Sequence, residues 1–460
     1  MNTEIQSKVG LLLVLIAASL YGQSVWFSPY YAHRNDFTHL YIAGYLADHG
    51  RDFFDPQLSL IVKDRFHIDR GLNPFVYPPF FAILLIPLSR YGYDDAWTLF
   101  YCSSHLAFFF SLFILIRMIR DENEPSLFWW GLLLAISAIF SPLVQTFAAG
   151  QMNTFLLLIF TASLYQLKKQ RELSAGALIG FGAAIKVAPA FFILYFLWKR
   201  KWAAAFSAVL VVLLSLLVSF LWLGPDVHYS FLDLAAQMGY GSSTWAEYGQ
   251  HYHVEPHNQA PAALWYRLFT HNPSTTGVLD SLALAKLFSY VTALCIVVLL
   301  LYYTRKQTTA FPEWEYSIWI IGMLVIPSLM WDHYLTQALF PITVAVHMAI
   351  KKWERGIPLV GVAVAMMALP YLYQYPRWTD GWFSLFMALY FYDNPSFKQG
   401  WMTIFLSAKL CGLLLLFRCL LMNRPENESA SDSEYLPDVF DRLKKRKSSV
   451  DYRNRNETHG

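Results

Sequence analysis

Asp36 stands in the run Arg34-Asn35-Asp36-Phe37-Thr38-His39-Leu40-Tyr41-Ile42-Ala43-Gly44, a few residues past a long apolar segment. A carboxylate there can face water on one side and a membrane-bound molecule on the other, and can act as a general base. Asp is also a favoured helix N-cap, and a helix starting at Phe37 would use it that way. Lys186 lies in Ala184-Ile185-Lys186-Val187-Ala188-Pro189, with apolar residues on both sides. A lysine inside a membrane is expensive, so it is functional or paired unless it snorkels to an interface. Pro189 would break a helix nearby and free backbone amides. Trp331-Asp332-His333-Tyr334 sets an acid and an imidazole between two amphipathic aromatics. The aromatics alone would be an interface belt, but Asp332 beside His333 is not explained that way.

Weaker signals accompany these. Tyr77 precedes Pro78-Pro79, which forces an extended segment and reads as a helix start. Gln151 and Asn153, in Gly150-Gln151-Met152-Asn153, open a span, where amides cap helices or bond between them. Lys409 is a second intramembrane cation, expected to snorkel or to form a structural pair. His251, His253, Glu255, His257, Asn258, Gln259 and Arg267 crowd one polar stretch. His-x-His beside Glu invites a metal, but the stretch does not advertise a consistent ligand set, so neither a metal nor another cofactor is expected.

The elements that must position these groups are membrane helices. Of 460 residues, 56% are hydrophobic and only 15% charged, and the apolar residues come in long uncharged runs. The expected fold class is an all-α polytopic membrane protein. A net charge of +3 says little, and no basic block interleaved with aromatics suggests a nucleic-acid partner. The four cysteines lie in apolar runs and support neither disulfides nor zinc. The N-terminal apolar run is too long for a signal peptide and reads as an uncleaved helix.

Spans of about 20 residues are expected near 9–28, 76–90, 97–116, 126–167 (two, hinged near Ala149-Gly150), 174–198, 203–223, 287–304, 316–330, 333–350, 357–373 and 400–420, about twelve in all. Residues 29–73 and 224–280 are too polar for lipid and too long for idle loops, and would suit helices on the membrane surface. Basic clusters at 199–201, 305–306, 351–355 and 444–447 place both termini in the cytoplasm and both long loops outside. Lys168-Lys169-Gln170-Arg171 conflicts with that count if 174–198 is one helix. It agrees if 174–198 is a pair of short half-helices and 76–90 does not cross. Residues 422–460 read as a disordered cytoplasmic tail, following a membrane domain over 1–421.

In their order, Asp36, Tyr77-Pro78-Pro79, Gly150-Gln151-Met152-Asn153, Ala184-Ile185-Lys186 and Trp331-Asp332-His333-Tyr334 resemble glycosyltransferase family 87, the polyprenol-phosphate-mannose-dependent mannosyltransferases with a GT-C membrane fold. The resemblance runs over roughly 9–350. It implies transfer of a sugar, mannose in the family, from a polyprenyl phosphate to a hydroxyl of a glycan or glycolipid, with inversion, at the outer face of the bacterial inner membrane. It implies Asp36 as base and His333 at the leaving phosphate or sugar, with Asp332 in support. Lys186 and Arg267 would contact the donor phosphate, and Arg34, Tyr77, Gln151, Asn153, Asn258 and Gln259 would shape the substrate pocket. The chemistry is self-consistent: a hydroxyl that attacks needs one base, and a phosphate that leaves needs cations or donors more than a proton. The rival readings are a secondary transporter, which would show interrupted helices in matching halves, and a non-catalytic glycan-assembly protein.

Overall fold

An apolar run in hydrocarbon can satisfy its backbone only as a helix or a closed barrel. The computed structural model describes residues 3–30, 34–54, 75–120, 124–243, 246, 249–305, 311–353, 356–369 and 395–425. Among these the regular structure is helical, with three isolated β-bridges and no strand. Five helices are long and apolar enough to cross a membrane: Ser7–Phe27, Tyr93–Ile119, Trp202–Leu223, Leu282–Tyr303 and Gly400–Met422. Ser126–Ile139 and Ser141–Ala149, bent by 68° at Phe140, make a sixth if counted as one span. The twelve spans expected are therefore not twelve straight helices among the described residues. Parts of 29–73 and 357–373, and the tail beyond 425, lie outside them.

The helices that matter to the site are α1 (Thr3–Tyr21), α2 (Asn35–Asp48), α3 (Pro79–Ser89), α4 (Tyr93–Ile119), α5 (Ser126–Ile139), α6 (Ser141–Ala149), α7 (Asn153–Lys168), α8 (Glu172–Ile185), α9 (Phe191–Trp198) and α10 (Trp202–Leu223). They are followed by α11 (Pro225–Ala236), α12 (Pro261–Phe269), α13 (Leu282–Tyr303), α14 (Pro312–Val325), α15 (Leu339–Lys352), α16 (Gly356–Met367) and α17 (Ala408–Met422).

Ion pairs gather at one end of this bundle. Lys168, at the end of α7, pairs with Glu313 at the start of α14. Lys199 and Glu315, both buried, meet at 3.0 Å. Lys201 meets Glu172 at 2.9 Å. Phe311 and His347 are in ring contact, which brings the end of α15 to the same level, and there Lys351 pairs with Glu124 ahead of α5. Helix α1 runs beside α5 in the same direction, since Gly10 abuts Phe128 and Gly131 abuts Val14. Its start therefore lies at this basic end.

The pair Glu172–Lys201 settles the internal conflict over Lys168. A straight helix from 172 to 201 would separate those residues by about 43 Å. Their contact requires the chain to double back. Helix α8 leaves the basic end, breaks at Lys186 and Ala188–Ala190, and returns as α9. Helix α10 then leaves in the same direction as α8. Gly176 and Gly180 make this packing possible, because a β-carbon there would fall 2.0 Å and 2.4 Å from the carbonyl oxygens of Ala204 and Ala208. The segment 174–198 is thus a re-entrant hairpin with Lys186 at its apex. Helix α3 has 11 residues, about 16 Å, against roughly 30 Å of hydrocarbon, and does not cross alone. Both conditions that bring Lys168 to the side of Lys199 are met. The expected hinge near Ala149-Gly150 is the turn from α6 to α7, and the 68° bend at Phe140 was not foreseen.

Candidate active site

Opposite the basic end, Asp36 lies in the first turn of α2, which starts after Arg34 in a left-handed conformation. Two contacts fix this turn against the link between α6 and α7. Arg34 donates its backbone N–H to the Ala148 carbonyl at 3.1 Å. Gly150, at φ +77°, sits where a β-carbon would be 2.5 Å from that of Phe37. This explains the glycine of the motif: it lets the next residue, Gln151, reach the carboxylate. Gln151 donates Nε2–H to Asp36 Oδ2 at 2.5 Å and accepts from the Tyr77 hydroxyl at 2.8 Å. One amide therefore orders both.

Asp36, Tyr77, Gln151 and His333 line one cavity of about 270 Å³. His39, Gln145, Tyr252, His257, Trp331 and Tyr334 line it as well. Asp36 and His333 are both buried. His39 stands one turn from Asp36, with Nδ1 3.9 Å from Oδ1. Burial lowers its pKa from the usual imidazole value, against the pull of Asp36, so it is neutral at and above pH 7. Neither of its ring nitrogens has a hydrogen-bond partner among the described residues.

Lys186 and Asn153 stand just behind this wall. The Lys186 ammonium lies 3.3 Å from the ring centre of Tyr334 and 5.9 Å from that of Tyr77. It donates to Asn153 Oδ1 at 3.5 Å. Asn153 in turn donates to the His333 carbonyl at 3.1 Å, as does the Thr146 hydroxyl. Asn153 is thus the hub between the hairpin apex and the backbone of His333. The broken α8–α9 hairpin is what brings a lysine to this depth.

The remaining predicted residues do not line the cavity. Asp332 is fully buried, 3.0 Å from Lys409, which also donates to Ser141 Oγ at 3.1 Å at the bend between α5 and α6. Lys409 is therefore the structural pair, not the snorkel. Asn258 accepts from Met330 N at 3.0 Å and donates to the Tyr252 and Ser328 carbonyls. Gln259 bonds the Leu406 carbonyl and Leu410 N at the start of α17. Arg267 is wholly buried, and its guanidinium donates to the Glu255 and Asn258 carbonyls and to Ser407 Oγ. Its expected contact with a phosphate gives way to three partners inside the loop and the last helix. Arg34 donates to Asp94 at 2.6 Å and lies over the rings of Tyr30 and Trp97, away from the cavity. Asn258 and Arg267 organise the 224–280 loop instead of lining the cavity.

The sequence reading did not single out His39, Gln145, Tyr252, His257 or Tyr334 as site residues. For His39 a signal existed: a residue three after Asp36 shares its helix face. Tyr334 belongs to the Trp331–Tyr334 run, and Tyr252 and His257 to the polar stretch 251–267, whereas no local pattern marks Gln145. No group of three His, Cys, Asp or Glu able to hold a metal occurs among the described residues.

Apolar spans, a re-entrant hairpin and a carboxylate-bearing cavity at one end define a multi-pass membrane protein with a buried polar site. Residues 75–327 match the model of glycosyltransferase family 87, more than half of the chain, and the chain belongs to that family. It is 31% identical over 166 residues to a polyprenol-phosphate-mannose-dependent α-(1-2)-phosphatidylinositol pentamannoside mannosyltransferase of Mycobacterium tuberculosis, covering 36% of this chain and 38% of that protein. It is 30% identical over 163 residues to the Mycolicibacterium smegmatis protein of the same description, covering 35% and 38%. A second M. tuberculosis protein, described as acting on phosphatidylinositol mannoside, is 28% identical over 174 residues, covering 34% and 39%. The chain thus matches well under half the length of each of these relatives. No solved structure matches it.

Proposed function

We propose that this protein is an integral-membrane mannosyltransferase of the bacterial inner membrane with a GT-C fold. It takes mannose from a polyprenyl phosphate and passes it to a hydroxyl of a lipid-linked or envelope glycan. The observation that carries this reading is the meeting of Asp36, Tyr77, Gln151 and His333 at one cavity, at the end of the bundle away from the basic residues. Asp36 takes the proton of the acceptor hydroxyl as its oxygen bonds to the anomeric carbon. The bond from that carbon to the phosphate oxygen breaks, and the phosphate leaves with the electron pair. Attack from the opposite face inverts the centre. His333 faces the leaving group or the sugar. No Lys or Arg is among the described residues lining the cavity, so Lys186, behind Tyr334, supplies the positive field for the phosphate. Asp332, Asn258, Gln259 and Arg267 act by holding the loop that carries His333.

The donor identity has a direct test. Purified protein should transfer mannose from a polyprenyl phosphate with no nucleotide sugar added. Activity with GDP-mannose alone, in a preparation free of polyprenyl lipid, would defeat the reading. A transporter is disfavoured, because the interrupted helices α5–α6 and α8–α9 both lie in the first half of the chain and not in matching halves. A transporter would move the lipid or sugar and leave the glycosyl–phosphate bond intact.

Lys186→Met should lower turnover by about 10²-fold, the low end of the range for one lost electrostatic donor, because Lys186 stands behind the lining and not in it. Stability should hold, because no carboxylate among the described residues pairs with Lys186 and Asn153 Oδ1 keeps the Gln337 amide at 3.3 Å. Steady-state kinetics and thermal unfolding of the same preparation check both halves. Normal turnover would remove Lys186 from the site.

Orientation is tested by labelling from outside intact cells, with the four native cysteines replaced. Ala246→Cys, exposed in the outer loop, should react with an impermeant maleimide. Lys169→Cys, exposed at the basic end, should not. The reverse pattern would put the cavity on the cytoplasmic face.

A further inference from the structure

The cavity has two unlike walls. On the inner side, Asp36, Gln151 and Tyr77 form one hydrogen-bonded chain, backed by Lys186. The outer side is built from the polar loop and the segment before α15: Met238, Tyr252, His257, Leu329 and Trp331. Trp331 is half-buried, and its indole N–H has no hydrogen-bond partner among the described residues. Its ring meets Tyr252 edge-on at 5.4 Å and His257 at 6.4 Å.

The backbone under this ring is held from both sides. Trp331 bridges antiparallel to Asn258. Gln259 donates its N–H to the Met330 carbonyl at 2.7 Å, and Asp332 donates to the His257 carbonyl at 3.2 Å. The buried Asp332–Lys409 pair anchors the next residue to α17. So an indole that lines the cavity is fixed there by its backbone, with one N–H that has no partner among the described residues. The described lining of this wall is aromatic, aliphatic and imidazole, with no Lys or Arg. A flat apolar face with a hydrogen-bond donor at its rim suits the C–H face and hydroxyl edge of a pyranose ring.

We propose that Trp331, braced by Tyr252 and His257, is the platform on which the terminal sugar ring of the acceptor stacks. This rests on the glycosyl-transfer reading and deepens it: the acceptor is recognised through a pyranose, not through a phosphate or its lipid. Inner and outer walls then divide the work. The donor's phosphate lies toward Lys186 and the acceptor ring lies on Trp331, with Asp36 between them to take the proton.

The test separates binding from turnover. Full-length protein in nanodiscs is titrated with methyl α-mannopyranoside, which has neither phosphate nor lipid, and saturation-transfer NMR reads its affinity. Trp331→Ala should weaken binding about tenfold, and Trp331→Phe about threefold or less, because a face remains. In assays with polyprenyl-phosphate mannose, Trp331→Ala should raise the KM for a mannoside acceptor by a similar factor. It should leave the KM for the donor unchanged. An unfolding temperature equal to that of the wild type reports that the variant is folded. Should Trp331→Ala prove misfolded, Trp331→Leu, which keeps bulk but no flat face, takes its place with the same expected loss. Mannoside binding equal to wild type in a folded Ala or Leu variant overturns the platform, as does a rise in donor KM without one for the acceptor. Failure of the glycosyl-transfer reading looks different: the wild type binds the mannoside through Trp331 but never consumes the donor.

Discussion

Asp36→Asn should abolish transfer while leaving the protein folded. Loss of a general base costs roughly 10²–10⁴-fold. The amide has the size of the carboxylate, and its oxygen can still accept from Gln151 Nε2, which holds Asp36 Oδ2 at 2.5 Å. What changes is a charge-assisted bond into a neutral one, a loss of about 1 kcal/mol. Tyr77 keeps its bond to Gln151, so the inner wall stays ordered. Turnover should therefore fall by orders of magnitude while donor binding and the unfolding temperature barely move. Both can be measured on one detergent-solubilised preparation. A variant with more than half of wild-type turnover would mean that another group takes the proton. His39 would be the first to examine, being neutral, lining the same cavity and one turn away.

Lys409→Met carries the other large expected effect, and it acts on stability first. Lys409 and Asp332 are both fully buried and 3.0 Å apart. Removing one partner of such a pair leaves a bare charge in the interior and costs roughly 3–5 kcal/mol. Met fills the space of the lysine stem but offers Asp332 nothing. The segment carrying Trp331 and His333 should loosen, so turnover should drop together with the unfolding temperature. The double variant Lys409→Met, Asp332→Asn should recover most of the stability, since no charge is then stranded. Thermal unfolding of the two single variants and the double one gives the coupling directly. Additive losses would mean that the pair does not act as a unit.

Much of the architecture was legible in the residues. The long uncharged runs required membrane helices, and the Ser7–Phe27, Trp202–Leu223 and Leu282–Tyr303 helices fall where the runs do. Lys186 was legible as an anomaly, because a charge between apolar residues needs a reason wherever the chain goes. Asp36 was legible by its place after the first span. The basic clusters marked one end of the bundle, and the ion pairs of Lys168, Lys199, Lys201 and Lys351 gather there.

The division between lining and bracing was not legible. Arg267 and Gln151 are both polar residues in motif positions, yet one braces the 224–280 loop from within and the other faces the cavity. Which it is depends on partners 140 and 115 residues away, Ser407 and Asp36. The same holds for Lys409, whose counter-ion is 77 residues distant. Nor does hydropathy separate a crossing helix from a re-entrant hairpin, since α8 and α9 are as apolar as a span. Composition, period and isolated charges are properties of a local stretch, and they determined the class of protein, its helices and the candidates for chemistry. Hydrogen-bond and ion-pair partners are chosen by where the packed helices bring side chains together. Only the tertiary structure could therefore decide that Asp36, Tyr77, Gln151 and His333 share one cavity while Arg267, Asp332 and Lys409 hold its wall.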